Sequence, residues 1–310
     1  MQVPLQAYFK HPSFTQLKML NGVIAARQIQ ILDQIEHLGE TEFQVFSQWG
    51  EDGIIEWLVH HAGPIPTIFV EFGVENYTES NTRFLLMNRN WRGLIIDGSQ
   101  KNIDYVRADS ISWRHELHSA ASFITTENIN DTIVSAGFRG EIGILSVDID
   151  GNDYWVLEAI ECVNPCFIIV EYNSYFGDII PVSIPYFPDF QRTQRHYSNL
   201  YYGASISAFC HLAQKRGYTL LGSNKAGSNA FFIRNDLLPR FSGRIRDMTA
   251  RPSLLREARA RDGSLSFLTG RQRTEILLAE PVVDVESGQL GILRDFGDIF
   301  SPHWSSQLGG

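Results

Sequence analysis

Acidic residues end or follow four of the predicted strands in this 310-residue chain. The strands are followed or closed, in chain order, by Glu71, Asp97, Asp148 with Asp150, and Glu171 with Asn173. Because parallel strands end at the same edge of a sheet, we expect these side chains to lie close together. Open α/β sheets bind their ligands at that edge, where the strand order reverses. The sequence therefore predicts a ligand site lined by carboxylates.

Alternating strand and helix patterns predict the sheet that positions these acids. The predicted strands cover residues 67–73, 93–97, 116–124, 141–148, 167–171, 218–222 and 230–233. The predicted helices cover residues 13–39 (one or two helices), 54–59 with a cap at Ser47, 80–88, 154–160 and 205–215. This alternation is typical of a parallel sheet with helices on both faces. We therefore predict a Rossmann-like α/β domain over residues 43–238, whose last two strands form an antiparallel hairpin. A helical extension over residues 1–42 precedes it, and an irregular extension over residues 239–310 follows.

The loop after the first predicted strand indicates which ligand the site would take. This loop, residues 73–77, has one glycine of the dinucleotide-binding fingerprint and adds the carboxylate of Glu75, which makes it a poor cradle for a pyrophosphate. S-adenosylmethionine has no phosphate, and its sulfonium and ammonium groups suit a crevice of carboxylates. Asp97 is placed to accept hydrogen bonds from ribose hydroxyls. The alternative is that Asp97 only forms a turn before Gly98.

Five segments of the chain resemble the FkbM-like methyltransferases. They are residues 47–52 (SQWGED), 70–73 (VEFG), 79–82 (ESNT), 146–155 (SVDIDGNDYW) and 170–173 (VEYN). The resemblance extends over roughly residues 43–238. It implies a class I methyltransferase sheet, S-adenosylmethionine as the methyl donor, and an oxygen of a sugar, polyketide or other small metabolite as the acceptor.

Together, the residue patterns and the resemblance give a set of donor-binding candidates. They are Gln48, Glu51, Glu71, Gly73, Ser80, Asn81, Asp97, Gly98, Ser99 and Asp148. Gln48 and Glu51 are expected to reach over the donor from the N-terminal side. The alternative is a capping arrangement in which Ser47 is the N-cap of the following helix. The two arrangements are compatible.

Asp148 and Glu171 end neighbouring predicted strands, which lie ~4.8 Å apart in a sheet. Two carboxylates at that separation repel, so one binds a proton or a cation lies between them. A Mg²⁺ or Mn²⁺ ion would take oxygen ligands from Asp148, Asp150, Glu171 and Asn173. This layout is similar to that of the cation-dependent catechol-type O-methyltransferases. The alternative is that Asp148 binds the donor ammonium or the acceptor hydroxyl directly, without a metal.

Methyl transfer also needs a group that removes the acceptor proton. The candidate catalytic residues are Asp148, Glu171 and His196. His196 lies in an irregular stretch after the fifth predicted strand, where acceptor loops usually occur. The alternative is that His196 is an ordinary surface histidine.

Composition argues against several classes of protein. The net charge of −9 argues against a nucleic-acid partner, and no apolar run reaches the ~18 residues of a membrane helix. The N-terminus lacks the layout of a signal peptide, so we expect a cytoplasmic protein with its three cysteines reduced. The N-terminal helices either pack on the domain or form a homodimer contact.

The sequence therefore favours S-adenosylmethionine-dependent O-methylation of a small-molecule acceptor. N-methylation of a small molecule is the alternative within the same class. An NAD(P)-binding oxidoreductase is disfavoured by the single glycine of the first loop. A catalytically silent scaffold is disfavoured because it has no need of a costly cluster of like charges.

Overall fold

A computed structural model describes residues 12–309 of the chain. The prediction that no signal peptide is present rests largely on residues 1–11, which lie outside the described residues. Most of the chain surrounds a seven-stranded sheet of order β3-β2-β1-β4-β5-β8-β7. Its strands are β1 (Ile68–Phe72), β2 (Arg92–Asp97), β3 (Leu117–Ala121), β4 (Gly140–Val147), β5 (Val163–Glu171), β7 (Tyr218–Ser223) and β8 (Asn229–Arg234).

Strands β1 to β5 are parallel, and β8 runs antiparallel to both of its neighbours, β5 and β7. The predicted Rossmann-like α/β class with a final antiparallel hairpin is therefore confirmed. The order along the chain reverses at the β1–β4 junction, and this is where an open sheet leaves a crevice beyond its strand ends.

Helices cover both faces of this sheet. The helices that the structure describes are α1 (Pro12–Gln30), α2 (Glu51–Ala62), α3 (Arg83–Arg89), α4 (Gln100–Ala108), α5 (Ile111–Arg114), α6 (Ile129–Ser135), α7 (Asp153–Ala159), α8 (Arg192–Arg195), α9 (Ile206–Arg216), α10 (Gln272–Glu275) and α11 (Pro302–Leu308). Side chains alternate across a strand, so the buried Val70 and Phe72 of β1 join one apolar core while Phe69 joins the other. Burial on both faces explains why the central strands read as continuous apolar runs.

The N-terminal helix is shorter than the sequence predicts. It ends at Gln30, and not near residue 39, because the C-terminal part of the chain binds the following segment. Ile35 forms a β-bridge with Ile245, and the Asp33 carboxylate accepts a hydrogen bond from Arg244 at 2.9 Å. The predicted homodimer contact through this helix stays a prediction.

The segment after residue 239 contains more regular structure than the sequence predicts. Its strands β9 (Pro281–Asp284) and β10 (Leu290–Ile292) join the short β6 (Val182–Ser183) in a second, antiparallel sheet of order β10-β9-β6. Leu277, Val282 and Trp304 belong to the same apolar core as the central sheet. Strands this short carry little local signal, and β6 and β9 pair although they lie far apart in the chain.

No helix within residues 12–309 is both long and apolar enough to cross a membrane.

Gly73 allows the carboxyl ends of β1 and β4 to approach closely. Its φ is +71°, and a Cβ built on it would lie 1.5 Å from the carbonyl oxygen of Asp148. Its N–H donates to the carbonyl of Ile96 at the end of β2, at 3.0 Å. Only glycine meets both the dihedral angle and the contact distance. This single residue therefore fixes how near Asp148 lies to the first loop.

We expect Gly73→Ala to lower the free energy of unfolding by about 2–5 kcal/mol, because the new Cβ overlaps backbone atoms that cannot move away freely. Urea denaturation measures this change. Gly137→Ala is the matched control, because Gly137 has φ +88° and no atom within 4 Å of its built Cβ. The control isolates the dihedral cost, about 1–2 kcal/mol. Equal losses in the two variants would show that the β1–β4 contact carries no special constraint.

Candidate functional site

Two adjoining cavities lie beyond the carboxyl ends of the strands, at the β1–β4 junction. The β2-side cavity has a volume of about 190 Å³ and is lined by Gly73, Glu75, Asp97, Gly98, Ser122, Phe123, Ile124, Asp148, Ile149, Asp150, Asn152 and Phe190. The β5-side cavity has a volume of about 230 Å³, and its lining includes Gln48, Glu71, Gly73, Glu75, Glu79, Ser80, Asn81, Asp148, Asp150, Glu171, Arg192, Asn229, Leu255 and Glu257. Gly73, Glu75, Asp148 and Asp150 line both, so the two cavities form one cleft.

Asp97 is held so that one carboxylate oxygen stays available in the β2-side cavity. Its Oδ1 accepts hydrogen bonds from the Ser99 N–H at 2.8 Å and from Asn102 Nδ2 at 3.0 Å. Its Oδ2 has no hydrogen-bond partner within residues 12–309. Phe123 exposes an aromatic ring in the same cavity. The cavity thus combines a fixed acceptor oxygen with an apolar wall, which is what a nucleoside requires.

Asp148, Asp150 and Glu171 each offer a carboxylate oxygen, and these three oxygens lie within 4.8 Å of one another. Strands β4 and β5 pair through Val147 and Val170, so Asp148 and Glu171 emerge side by side, as predicted from the sequence. Glu171 Oε1 accepts a 3.3 Å hydrogen bond from the Tyr202 hydroxyl, whereas its Oε2 is buried without a partner. The Asp148 carboxylate likewise has no hydrogen-bond partner among the described residues. We call these three residues the carboxylate cluster.

Burial and nearby negative charges raise the pKa values of Asp148 and Glu171. Burial first, and then the charges of Asp150 and Asp153, raise the pKa of Asp148 well above its usual value. The pKa of Glu171 is also raised well above its usual value, mainly by burial and secondly by the charge of Asp148. Arg192 opposes both shifts. The cluster therefore needs protons or a further cation to reach a low free energy.

Arg192 is the nearest cation to the cluster and was not predicted from the sequence. Its guanidinium donates to Asp150 Oδ1 at 2.6 Å and to Glu257 Oε1 at 2.8 Å, and it lies 3.8 Å from the centre of the Tyr202 ring. Its one signal in the sequence is its place in the irregular stretch after β5, the same stretch in which the sequence favours His196. No sequence pattern indicates that Glu257 belongs to the site, because this residue reaches the cleft only through the packing of the C-terminal segment.

Two predicted donor-binding acids are instead held by the protein itself. Glu71 lines the β5-side cavity, but its carboxylate binds the turn before α3. It accepts from the Asn81 N–H at 2.8 Å, from the Ser80 hydroxyl at 2.9 Å, and from both the N–H and the hydroxyl of Thr82. These bonds delay the start of α3 to Arg83, three residues after the predicted start. Glu71 thus positions Ser80 and Asn81, and its predicted contact with the donor stays a prediction.

Glu51 lies outside the cleft, which corrects its predicted role. It is fully buried, and its Oε1 accepts from Asn224 Nδ2 at 2.7 Å and from Asn229 Nδ2 at 2.9 Å. The acid therefore joins the start of α2 to the β7–β8 hairpin. Ser47 is not the N-cap of α2, because the helix begins after Gly50. The Ser47 hydroxyl nevertheless accepts a hydrogen bond from the Asp52 N–H at 3.0 Å.

The segments that follow β4 and β5 contain two further residues whose side chains bind the backbone. Asp153 accepts from the N–H groups of Ile149 at 2.7 Å and Gly151 at 2.8 Å, which shapes the loop that carries Asp150. Asn173 donates to the carbonyls of Leu200 and Tyr202 and accepts from the Tyr175 N–H. The predicted metal ligand Asn173 is thus fully occupied and does not line the cleft, which removes it from the ligand set.

The remaining predicted site residues differ in their surroundings. His196 hydrogen-bonds Ser198 at 2.7 Å, lies 3.7 Å from Glu280 and lines neither cavity, so it is not placed to act as the base. The Ser99 hydroxyl accepts a hydrogen bond from the Asn102 N–H and so caps α4. The sequence does not predict this helix. Gly98 lines the β2-side cavity, and the lining of the other cavity includes Gln48, Ser80 and Asn81, so the donor-binding role of these four residues stays a prediction.

No protein-family model and no curated protein matches this sequence. Similar solved structures include an S-adenosylmethionine-dependent methyltransferase from Clostridium acetobutylicum ATCC 824, with 12% identity, TM-score 0.38, and coverage of 59% of this chain and 90% of that one. An O-methyltransferase from Bacillus cereus has 14% identity, TM-score 0.37 and coverage of 71% and 89%. An O-methyltransferase family protein from Burkholderia thailandensis has 9% identity, TM-score 0.36 and coverage of 71% and 70%. These scores are low, so the fold assignment depends on the strand order of this chain.

We expect Asp148→Asn to raise the free energy of unfolding at pH 8 by on the order of 1 kcal/mol, the usual size of a single-site effect. The folded chain holds the Asp148 proton more tightly than the unfolded chain does, so this residue costs stability once the pH exceeds about 4. The gain should therefore shrink as the pH falls towards 4. Thermal and urea unfolding between pH 4 and pH 8 measure it.

The control for this measurement is Asp298→Asn, which removes an exposed carboxylate from the C-terminal segment. It should leave the stability nearly unchanged at every pH. A destabilised Asp148→Asn protein at pH 8 would contradict the repulsion within the cluster.

Proposed function

We propose that this chain is an S-adenosylmethionine-dependent methyltransferase that methylates a hydroxyl of a small metabolite or sugar. One observation carries the proposal. The fixed carboxylate of Asp97 lines the same cleft as the carboxylate cluster, whose negative charge Arg192 neutralises only in part. This cleft lies at the edge where an α/β sheet binds its ligands.

The β2-side cavity fits the adenosine part of the donor. The free Oδ2 of Asp97 would accept from a ribose hydroxyl, and Phe123 would contact the adenine ring. Asp148 and Glu75 line both cavities, so their negative charges would attract the sulfonium and ammonium groups as the donor extends towards β5. The same Glu75 would repel the pyrophosphate of a dinucleotide, which argues against an oxidoreductase.

The β5-side cavity would hold the acceptor hydroxyl against the carboxylate cluster. The hydroxyl oxygen attacks the methyl carbon, the carbon–sulfur bond breaks, and the sulfur keeps the electron pair. The acceptor proton passes to the Asp148 carboxylate and then to solvent. Arg192 supports this step, because its charge favours the ionised form of Asp148. Alignment of donor and acceptor supplies most of the remaining rate enhancement.

The carboxylate cluster also fits a divalent cation. Asp148, Asp150 and Glu171 offer three hard oxygen ligands within 4.8 Å, and one buried Glu171 oxygen has no partner in the described residues. A bound Mg²⁺ or Mn²⁺ ion would supply a Lewis acid that lowers the pKa of the acceptor hydroxyl. Without a metal, the same carboxylates would bind an amine directly, which is the arrangement that N-methylation would use.

We expect S-adenosylhomocysteine, the product of the donor, to bind with micromolar affinity in titration calorimetry. Asp97→Ala should weaken this binding at least tenfold, because the ribose loses a fixed acceptor. Asp104→Asn is the matched control, since Asp104 lies on the exposed face of α4. Absence of S-adenosylhomocysteine binding, or tight binding of NAD⁺ in its place, would overturn the proposal.

We expect Mn²⁺ to bind at one site per chain in electron paramagnetic resonance titrations of the complex with S-adenosylhomocysteine. Asp148→Asn and Glu171→Gln should each weaken this site more than tenfold, because each removes one of three charged ligands. Asp298→Asn should leave it intact. Mn²⁺ binding that is unchanged in Asp148→Asn would eliminate the metal from the proposal without affecting the donor.

A further inference from the structure

The β5-side cavity carries a large excess of negative charge. Glu71 is left out of the count, because its carboxylate accepts hydrogen bonds from Ser80, Asn81 and Thr82; its ionised form would only add to the excess. The other lining carboxylates are those of Glu75, Glu79, Asp148, Asp150, Glu171 and Glu257. Within the described residues, Arg192 is the only cationic side chain in this lining. The ionised cavity therefore has five excess negative charges.

The occupants proposed above do not neutralise this excess. S-adenosylmethionine brings one net positive charge, and a divalent cation brings two. Two negative charges remain even when both are bound. The side chains of Glu75 and Glu79 are exposed at the mouth of the cleft, and burial followed by the charge of Glu75 raises the pKa of Glu79. The local potential of the cavity thus stays negative.

The backbone holds this charge at the mouth. Glu75 has φ +47° and Tyr77 has φ +60°, which are uncommon conformations for residues with side chains. Tyr77 is fully buried, and its hydroxyl lies 3.0 Å from that of Thr82, which anchors the loop. Residues kept in such conformations occur preferentially at functional sites. The loop presents Glu75 to the cleft at a cost in backbone energy.

A second and independent observation is an unpartnered acceptor deep in the same cavity. Asn229 lines the cavity and is only 7% exposed, and its Oδ1 is buried without a hydrogen-bond partner in residues 12–309. Its Nδ2 is already used by Glu51 at 2.9 Å. Buried polar atoms are normally paired, so this oxygen calls for a donor group from a ligand. The free Oε2 of Glu171 makes the same demand.

These features share one chemistry, since each requires a hydrogen-bond donor or a positive charge. Resting on the function proposed above, we propose that the acceptor is a hydroxylated amine that is cationic at neutral pH, such as an amino sugar or an aminocyclitol. Its ammonium group interacts with the acidic mouth formed by Glu75 and Glu79, while its hydroxyl lies at the carboxylate cluster. Acceptors that carry phosphate or carboxylate groups are repelled.

The test compares matched ligands on the full chain saturated with S-adenosylhomocysteine and Mg²⁺. The probes are D-glucosamine with N-acetyl-D-glucosamine, and 2-deoxystreptamine with its di-N-acetyl derivative, measured by titration calorimetry at pH 7. We expect the amine to bind at least tenfold more tightly than its acetylated partner in at least one pair. Glucosamine 6-phosphate should bind more weakly than glucosamine.

The variant Glu79→Gln removes an exposed charge that lines only the β5-side cavity, and it should reduce the preference for the amine. Glu161→Gln removes an exposed charge far from the cleft and should preserve the preference, which separates local recognition from net charge. Equal affinity within each pair, or no binding of any amine, would overturn this inference. Loss of S-adenosylhomocysteine binding would instead overturn the proposed function itself, so the two failures are distinguishable.

Discussion

The electrostatic repulsion between Asp148 and Glu171 is the constraint on which the site depends. Parallel strands β4 and β5 end side by side, so each delivers its carboxylate to the same small volume. Gly73 brings the first loop against the Asp148 backbone, so that volume cannot open towards β1. A sheet built for stability alone would not bury like charges at its edge. The arrangement is understandable if a cation or a proton donor occupies the cleft.

Hydrogen bonds around the cluster prevent it from relaxing. Asp153 fixes the loop after β4, and Glu71 fixes the turn before α3. Asn173 fixes the chain after β5 through two carbonyls. Each of these polar side chains binds mainly the protein. Carboxylate oxygens without a partner among the described residues therefore remain on the neighbouring Asp148 and Glu171. Rigid support of this kind is what an active site needs to keep an unfavourable charge distribution.

The C-terminal segment forms part of this site. Its buried Arg273 donates to the carbonyls of Ser253 and Leu255, and Trp304 donates to the carbonyl of Ala250 at 3.0 Å. These bonds hold the stretch from which Leu255 and Glu257 reach the β5-side cavity. Glu257 in turn binds Arg192, the cation closest to the cluster. The β5-side cavity is thus assembled from segments far apart in the chain.

The sequence by itself determined the α/β class, the main strands of the sheet and the meeting of Asp97, Asp148 and Glu171 at one edge. Strand periodicity and the acids at strand ends are local signals. In a parallel sheet the strands end at the same edge, so these acids lie close together. Only the tertiary structure decided which polar groups remain free. It showed that Glu51, Asn173 and Ser99 are occupied by hydrogen bonds within the protein, and that Arg192 and Glu257 enter the cleft. Hydrogen-bond partners and countercharges come from residues distant in sequence, so no local pattern encodes them.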